Sequence, residues 1–177
     1  IWKSTSNQLV TWTQTTSSAV QLNLVKCHVE GGNQVVSLNA STSFTVNMVD
    51  SDFVSNAATQ GSVLYVTPLV SNAFTWNVSN CTFKNNVASQ EGGVAYINSH
   101  PVLNIQMKDV VSDSNAGTSG GFLCVISSAT TTIDIQLNNF TMTNTTGTGA
   151  LLSHQSAFVT IFNLTIDTSR FESNHGG

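Results

Sequence analysis

The chain has 177 residues and a net charge of −4, with 5 Lys and Arg and 9 Asp and Glu in all. Arg170 is the single arginine and the lysines are dispersed, which argues against a phosphate-neutralising surface and hence against nucleic-acid partners. No apolar run is long enough for a membrane-spanning helix. Ser, Thr and Asn contribute 65 residues, yet 40% of the chain is hydrophobic. Such a chain, rich in Val, Ile, Thr and Phe but poor in charge, is expected to fold, and to fold as β.

In chain order, residues 1–19 read as a partial first coil, with a strand over residues 7–13. The chain starts at Ile1 without a signal peptide, as expected of a processed chain or a fragment of a longer one. From Val20 onward one unit recurs, apolar or small at alternate positions, with one extra residue before the fourth position. It reads Val20, Leu22, Leu24, Cys27, Val29, then Phe44, Val46, Met48, Ser51, Phe53, then Phe74, Trp76, Val78, Cys81, Phe83. It continues as Leu103, Ile105, Met107, Val110, Ser112, as Ile133, Ile135, Leu137, Phe140, Met142, and as Phe162, Leu164, Ile166, Ser169, Phe171. Successive units start 24, 30, 29, 30 and 29 residues apart.

Alternation with period two buries one face of a strand, and the extra residue breaks that parity, so the chain turns a corner there. The corner residues Asp50, Asn80, Asp109 and Asn139 are types that tolerate a left-handed backbone; Lys26 and Thr168 depart from this. A second column, Asn56, Asn86, Asn115 and Asn174, is expected to form a structural asparagine ladder, with Thr145 interrupting it. A third column of glycines, Gly31, Gly61, Gly92, Gly120, Gly149 and Gly176, opens a further apolar run in each unit.

Three strands per unit and no helical period fit a parallel β-helix better than a leucine-rich repeat or a propeller blade. The expectation is an all-β solenoid of about six coils of 24–30 residues, forming one domain over residues 1–177. Both ends break off mid-coil. The chain is therefore expected to continue, to be capped, or to stack end to end on copies of itself.

Phe53-Val54-Ser55-Asn56, Phe83-Lys84-Asn85-Asn86 and Phe171-Glu172-Ser173-Asn174 are F-x-x-N tetrapeptides. Gly92-Gly93-Val94-Ala95 and Gly120-Gly121-Phe122-Leu123 are similar to a G-G-A-I/L motif. Their phased alternation resembles the polymorphic outer-membrane protein repeat. The resemblance covers residues 44–177 well and 1–43 loosely, and departs at the fifth unit. It implies a pectin lyase-like, right-handed winding and surface display, adhesion or structural roles, without catalytic residues.

Six sequons, at Asn39, Asn77, Asn80, Asn139, Asn144 and Asn163, are candidate sites for N-linked glycans and point to a secreted or cell-surface chain. Cys27 and Cys81 stand in one column two coils apart, roughly 10 Å at the strand spacing and beyond disulfide reach; Cys124 is a small core residue or a partner for a cysteine elsewhere. His28, His100, His154 and His175 share no phase. Asp50, Asp52, Asp109 and Asp113 are Asx corner residues or, less favoured, calcium ligands, so neither metal nor cofactor is expected. The outward columns Thr45, Thr75, Asn104, Asp134, Asn163 and Asn47, Asn77, Gln106, Gln136, Thr165 form a flat polar face. The favoured function is a non-catalytic structural or adhesive extracellular glycoprotein, part of a coat, appendage or filament. The alternatives are a carbohydrate-binding β-helix using the polar face, and a polysaccharide lyase or hydrolase, against which the single arginine argues.

Overall fold

The structure, a computed structural model, describes residues 2–3, 9–14, 19–40, 43–68, 73–98, 102–127, 131–156 and 160–176. It is a parallel β-solenoid of about five turns, the six sequence units bounding the turns between them. Every strand pairs in parallel with the strand one coil away, and no helix occurs among the described residues. The strand over residues 7–13 is seen as Val10–Gln14, paired with Val36–Ala40.

Each coil visits three sheets. The first holds the repeated unit, in its central coils as the long strands Ala73–Lys84, Val102–Asp113 and Thr131–Thr143. The second is built from Ala57–Gln60, Val87–Glu91, Ala116–Ser119 and Thr146–Thr148. The third stacks Val10–Gln14, Val36–Ala40, Leu64–Pro68, Ala95–Asn98, Leu123–Ser127 and Leu152–Ser156. The first unit is the short one because it contributes no strand to the second sheet, only the isolated bridge Asn33–Ala57.

The register follows the apolar pattern: Phe74 pairs with Phe44 and Leu103, Trp76 with Val46 and Ile105, Val78 with Met48 and Met107. These residues point inward and are buried. The aromatic side chains interlock across coils. Phe53 stacks on Phe83 at 5.3 Å between centroids, Trp76 lies parallel to Phe122 at 6.3 Å, and Phe122 meets Phe140 edge-on at 5.4 Å. Phe44, Phe53, Phe74, Trp76 and Phe83 therefore form core rather than a sugar-stacking platform. The inward residues of the last coil, Phe162, Leu164, Ile166 and Phe171, are exposed on its open side.

Parity is reset at the corners by left-handed residues. Lys26, Asp50, Asn80, Asp109, Asn139 and Thr168 all have φ between 50° and 55°, so the position imposes the conformation even where the residue is not Asx. The next residue inward often caps the bend. Ser51, Cys81 and Ser169 donate to the carbonyls of Val49, Ser79 and Asp167, two residues back.

Two glycines leave the expected column. Gly31 donates its N–H to Val54 and precedes the ladder position, aligned with Ser55, Asn85, Ser114, Asn144 and Ser173, all at positive φ. Gly176 follows His175, which bridges to Thr146, so it aligns with Gly147. The remaining glycines, Gly61, Gly92, Gly120 and Gly149, share φ of 52–66° at the turn into the third sheet. Among the described residues each coil before the last thus has three left-handed corners, of which residue type alone marked two.

Candidate functional site

The outer face of the first sheet carries the polar columns, and it is grooved rather than flat. A groove of about 520 Å³ is lined chiefly by Asn47, Asn77, Ser79, Gln106, Lys108 and Gln136. Its relief comes from side-chain length. Asn77 Nδ2 donates to Asn47 Oδ1 at 2.8 Å, and Asn47 Nδ2 to Asn23 Oδ1 at 2.8 Å. Asn47 and Asn77 lie half-buried against the sheet, while Gln106, Lys108 and Gln136 are exposed. Gln136 reaches back toward Asp134 (3.4 Å), and Asn138 reaches forward to Asp167 of the next coil (3.2 Å). The groove is a row of amide donors and acceptors with one ammonium, suited to hydroxyl-rich ligands.

Inside the coil the asparagines form a buried chain of bonds. Asn56 Nδ2 donates to Asn86 Oδ1 (2.9 Å) and Asn86 Nδ2 to Asn115 Oδ1 (3.1 Å). Each side-chain oxygen also accepts a backbone N–H from the coil before: Gly32 to Asn56, Asn56 to Asn86, Asn86 to Asn115 and Thr145 to Asn174. At Thr145 the amide chain stops, and Asn115 Nδ2 turns to Ser112 Oγ at 2.9 Å instead. These asparagines satisfy backbone groups where the chain bends; Asn56, Asn86 and Asn115 are closed to solvent, and Asn174 on the last coil is half-buried.

The sequon asparagines occupy distinct settings. Asn80, Asn139 and Asn144 are exposed at left-handed corners. Each donates to an aspartate one coil back, Asn80 to Asp50 (2.8 Å), Asn139 to Asp109 (2.7 Å) and Asn144 to Asp113 (3.1 Å). Asn77 lies in the groove, and Asn39 is half-buried with its Oδ1 occluded and unpaired. Asn163 is exposed on the last coil.

Several of the ionisable groups are paired. Asp113 accepts from Asn144, Thr143 and Ser114 and faces Lys84 at 3.4 Å. These hydrogen bonds, from Asn144 above all, hold its carboxyl below the usual value. Arg170 binds Glu172 at 2.5 Å and His28 lies 3.6 Å from Asp52. Asp50 and Asp109 serve the corner amides. His175 bridges to Thr146 through its backbone, and His100 lies outside the described residues.

Two features had no clear sequence signal, while Cys124 takes the buried place of a small core residue. His154 stands in the inward column after Val125, 3.3 Å from Ser127 Oγ and beside the Phe162 ring, and burial lowers its pKa. Tyr65 stacks on Tyr96 at 5.4 Å, and Gln60 Nε2 binds Glu91 at 2.7 Å next to them. Burial, reinforced by Glu91, pushes the Tyr96 hydroxyl to about 12. Cys124 follows Tyr96 in the same column, wholly buried, its thiol raised to about 12 by burial. Cys81 is raised to about 11 by burial, and all three cysteines are free.

No protein-family model matches the chain, and comparison with curated proteins and with solved structures finds no match.

Proposed function

We propose that the chain is a non-catalytic structural or adhesive element of an extracellular coat, appendage or filament, wound right-handedly and related to the polymorphic outer-membrane protein-type repeats. The observation that carries this reading is the use made of the polar surface. Asn77 to Asn47 to Asn23, Asn80 to Asp50, Asn139 to Asp109 and Asn144 to Asp113 are bonds from coil to coil. Lys84 and Asp113 pair the same way. Amides and charged groups that bond to one another between coils serve a stack better than they serve catalysis, which needs acid, base and basic partner converging on one substrate. N-linked glycans, and copies of itself or adjoining solenoid segments stacked end to end, are the partners of this reading.

Immunogold labelling of the source cells with antibodies raised against the folded chain tests it. Label on the outer surface or on appendages is expected; label confined to the cytosol overturns the reading. Release of unsaturated uronides from polyuronides, with or without calcium, would overturn the non-catalytic part.

The groove supports a second reading, carbohydrate binding, because Gln106, Lys108 and Gln136 are exposed around a half-buried amide floor. A glycan array probed with the chain and with Gln106→Ala separates the two. A ligand lost on substitution favours binding, and an empty array favours the structural role.

A further inference from the structure

We infer that N-glycosylation divides the sequons by their place in the coil, the corner asparagines Asn80, Asn139 and Asn144 carrying sugars while Asn77 and Asn39 stay bare. This rests on the reading of the chain as a glycoprotein and decides what that reading leaves open, namely which face the glycans cover.

The corner sites share a local geometry. The asparagine has φ of 50–52° and is exposed. The middle residue of the sequon, Cys81, Phe140 or Thr145, points into the core and is buried. The hydroxyl residue, Thr82, Thr141 or Thr146, returns to the outside. The left-handed residue stands at the bend, where its side chain is exposed although its amide reaches the coil before. The aspartate one coil back takes one amide N–H in each case. A primary amide has two, so the second is left facing solvent. In transfer, Nδ2 bonds to the anomeric carbon of a polyprenyl-pyrophosphate-linked oligosaccharide. The anomeric C–O bond breaks, the pyrophosphate leaves with the electron pair, and the amide gives up one proton. The remaining N–H still serves Asp50, Asp109 or Asp113, so the modification leaves the corner bond in place.

Asn77 is different. It lies three residues before the corner, half-buried, in register between Asn47 and Gln106, each about 4.8 Å away at the strand spacing. A sugar there would lie across both neighbours and fill the groove. Asn39 is half-buried with its oxygen occluded. Glycans on Asn80 and Asn139 would stand along the bend of the first sheet, at one side of the amide groove, and that on Asn144 just past the end of its strand, so the groove floor would stay uncovered.

The test uses the whole chain, folded after production in bacterial cytosol and then treated with a soluble N-glycosyltransferase and UDP-glucose. Peptide mapping is expected to find hexose on Asn80, Asn139 and Asn144, and none on Asn77 or Asn39. Thr141→Val, which removes the sequon but keeps the Asn139–Asp109 bond, should abolish hexose at Asn139 alone. Modification of Asn77 to the same extent as the corners overturns the inference. Glycopeptides from native material test the parent reading separately. Their complete absence there would sink the glycoprotein assignment while the pattern on the folded chain stood.

Discussion

Asn86 shows how one buried side chain holds three coils. Its Oδ1 accepts from Asn56 N and Nδ2, and its Nδ2 donates to Phe53 O and Asn115 Oδ1. Truncation to Ala strands a buried N–H and a buried carbonyl, and Asn86→Ala is expected to cost about 3 kcal/mol, read as a lower urea midpoint. Thr145→Asn should act in the opposite direction by about 1 kcal/mol, because it replaces the one hydroxyl that interrupts the amide chain. Equal or inverted effects would mean the ladder contributes nothing. Thiol chemistry is a second residue-scale check. Cys81 and Cys124 are buried, with thiols at about 11 and about 12, whereas Cys27 is only half-buried. Iodoacetamide at neutral pH should label Cys27 first and leave the other two unmodified until denaturant is added.

At the scale of the element, the turn into the third sheet depends on close backbone approach. Gly92 has φ of 64°, and a Cβ there would run into the Ala95 carbonyl; a Cβ on Gly93 would meet the Gly121 carbonyl oxygen of the next coil. Gly93 N donates to Gly120 O at 2.9 Å, so the coil cannot move away to make room. Gly93→Ala is expected to lower Tm sharply or prevent folding, whereas Asn85→Gly, at a left-handed position with an exposed side chain, should change Tm little. The F-x-x-N tetrapeptides gain a physical meaning here. Phe53 and Phe83 stack in the core and Phe171 packs on Phe140 with its other side exposed; the third residue is a left-handed corner, and the Asn enters the ladder. That third position was readable in principle, since Ser or Asn fills it in every coil from Ser55 to Ser173.

Over the whole molecule, few charges leave few levers for pH. Burial lowers the pKa of His154 from 6.5, so its neutral form is favoured in the folded chain. The unfolded chain therefore binds more protons below pH 6.5. Stability is unaffected by this group above that pH, falls as the pH drops toward the lowered value, and then levels off. Asp113 adds a further loss below 3.8. Urea titrations between pH 8 and 5 should give a falling midpoint in the wild type and a flatter profile in His154→Leu; parallel profiles would place His154 in solvent. By itself the sequence determined the all-β solenoid, the inward and outward parity of the first sheet, the first corner and the ladder. Those features depend on alternation and on side chains repeated from coil to coil, and a repeat displays them directly. Tertiary structure alone decided the relief of the amide groove, the pairing of each corner sequon with an aspartate one coil back, the placement of Gly31 and Gly176, and the half-burial of His154 beside Ser127 and Phe162. Those depend on which residues of neighbouring coils come into register and on side-chain reach across about 4.8 Å, distances that no spacing along one coil encodes.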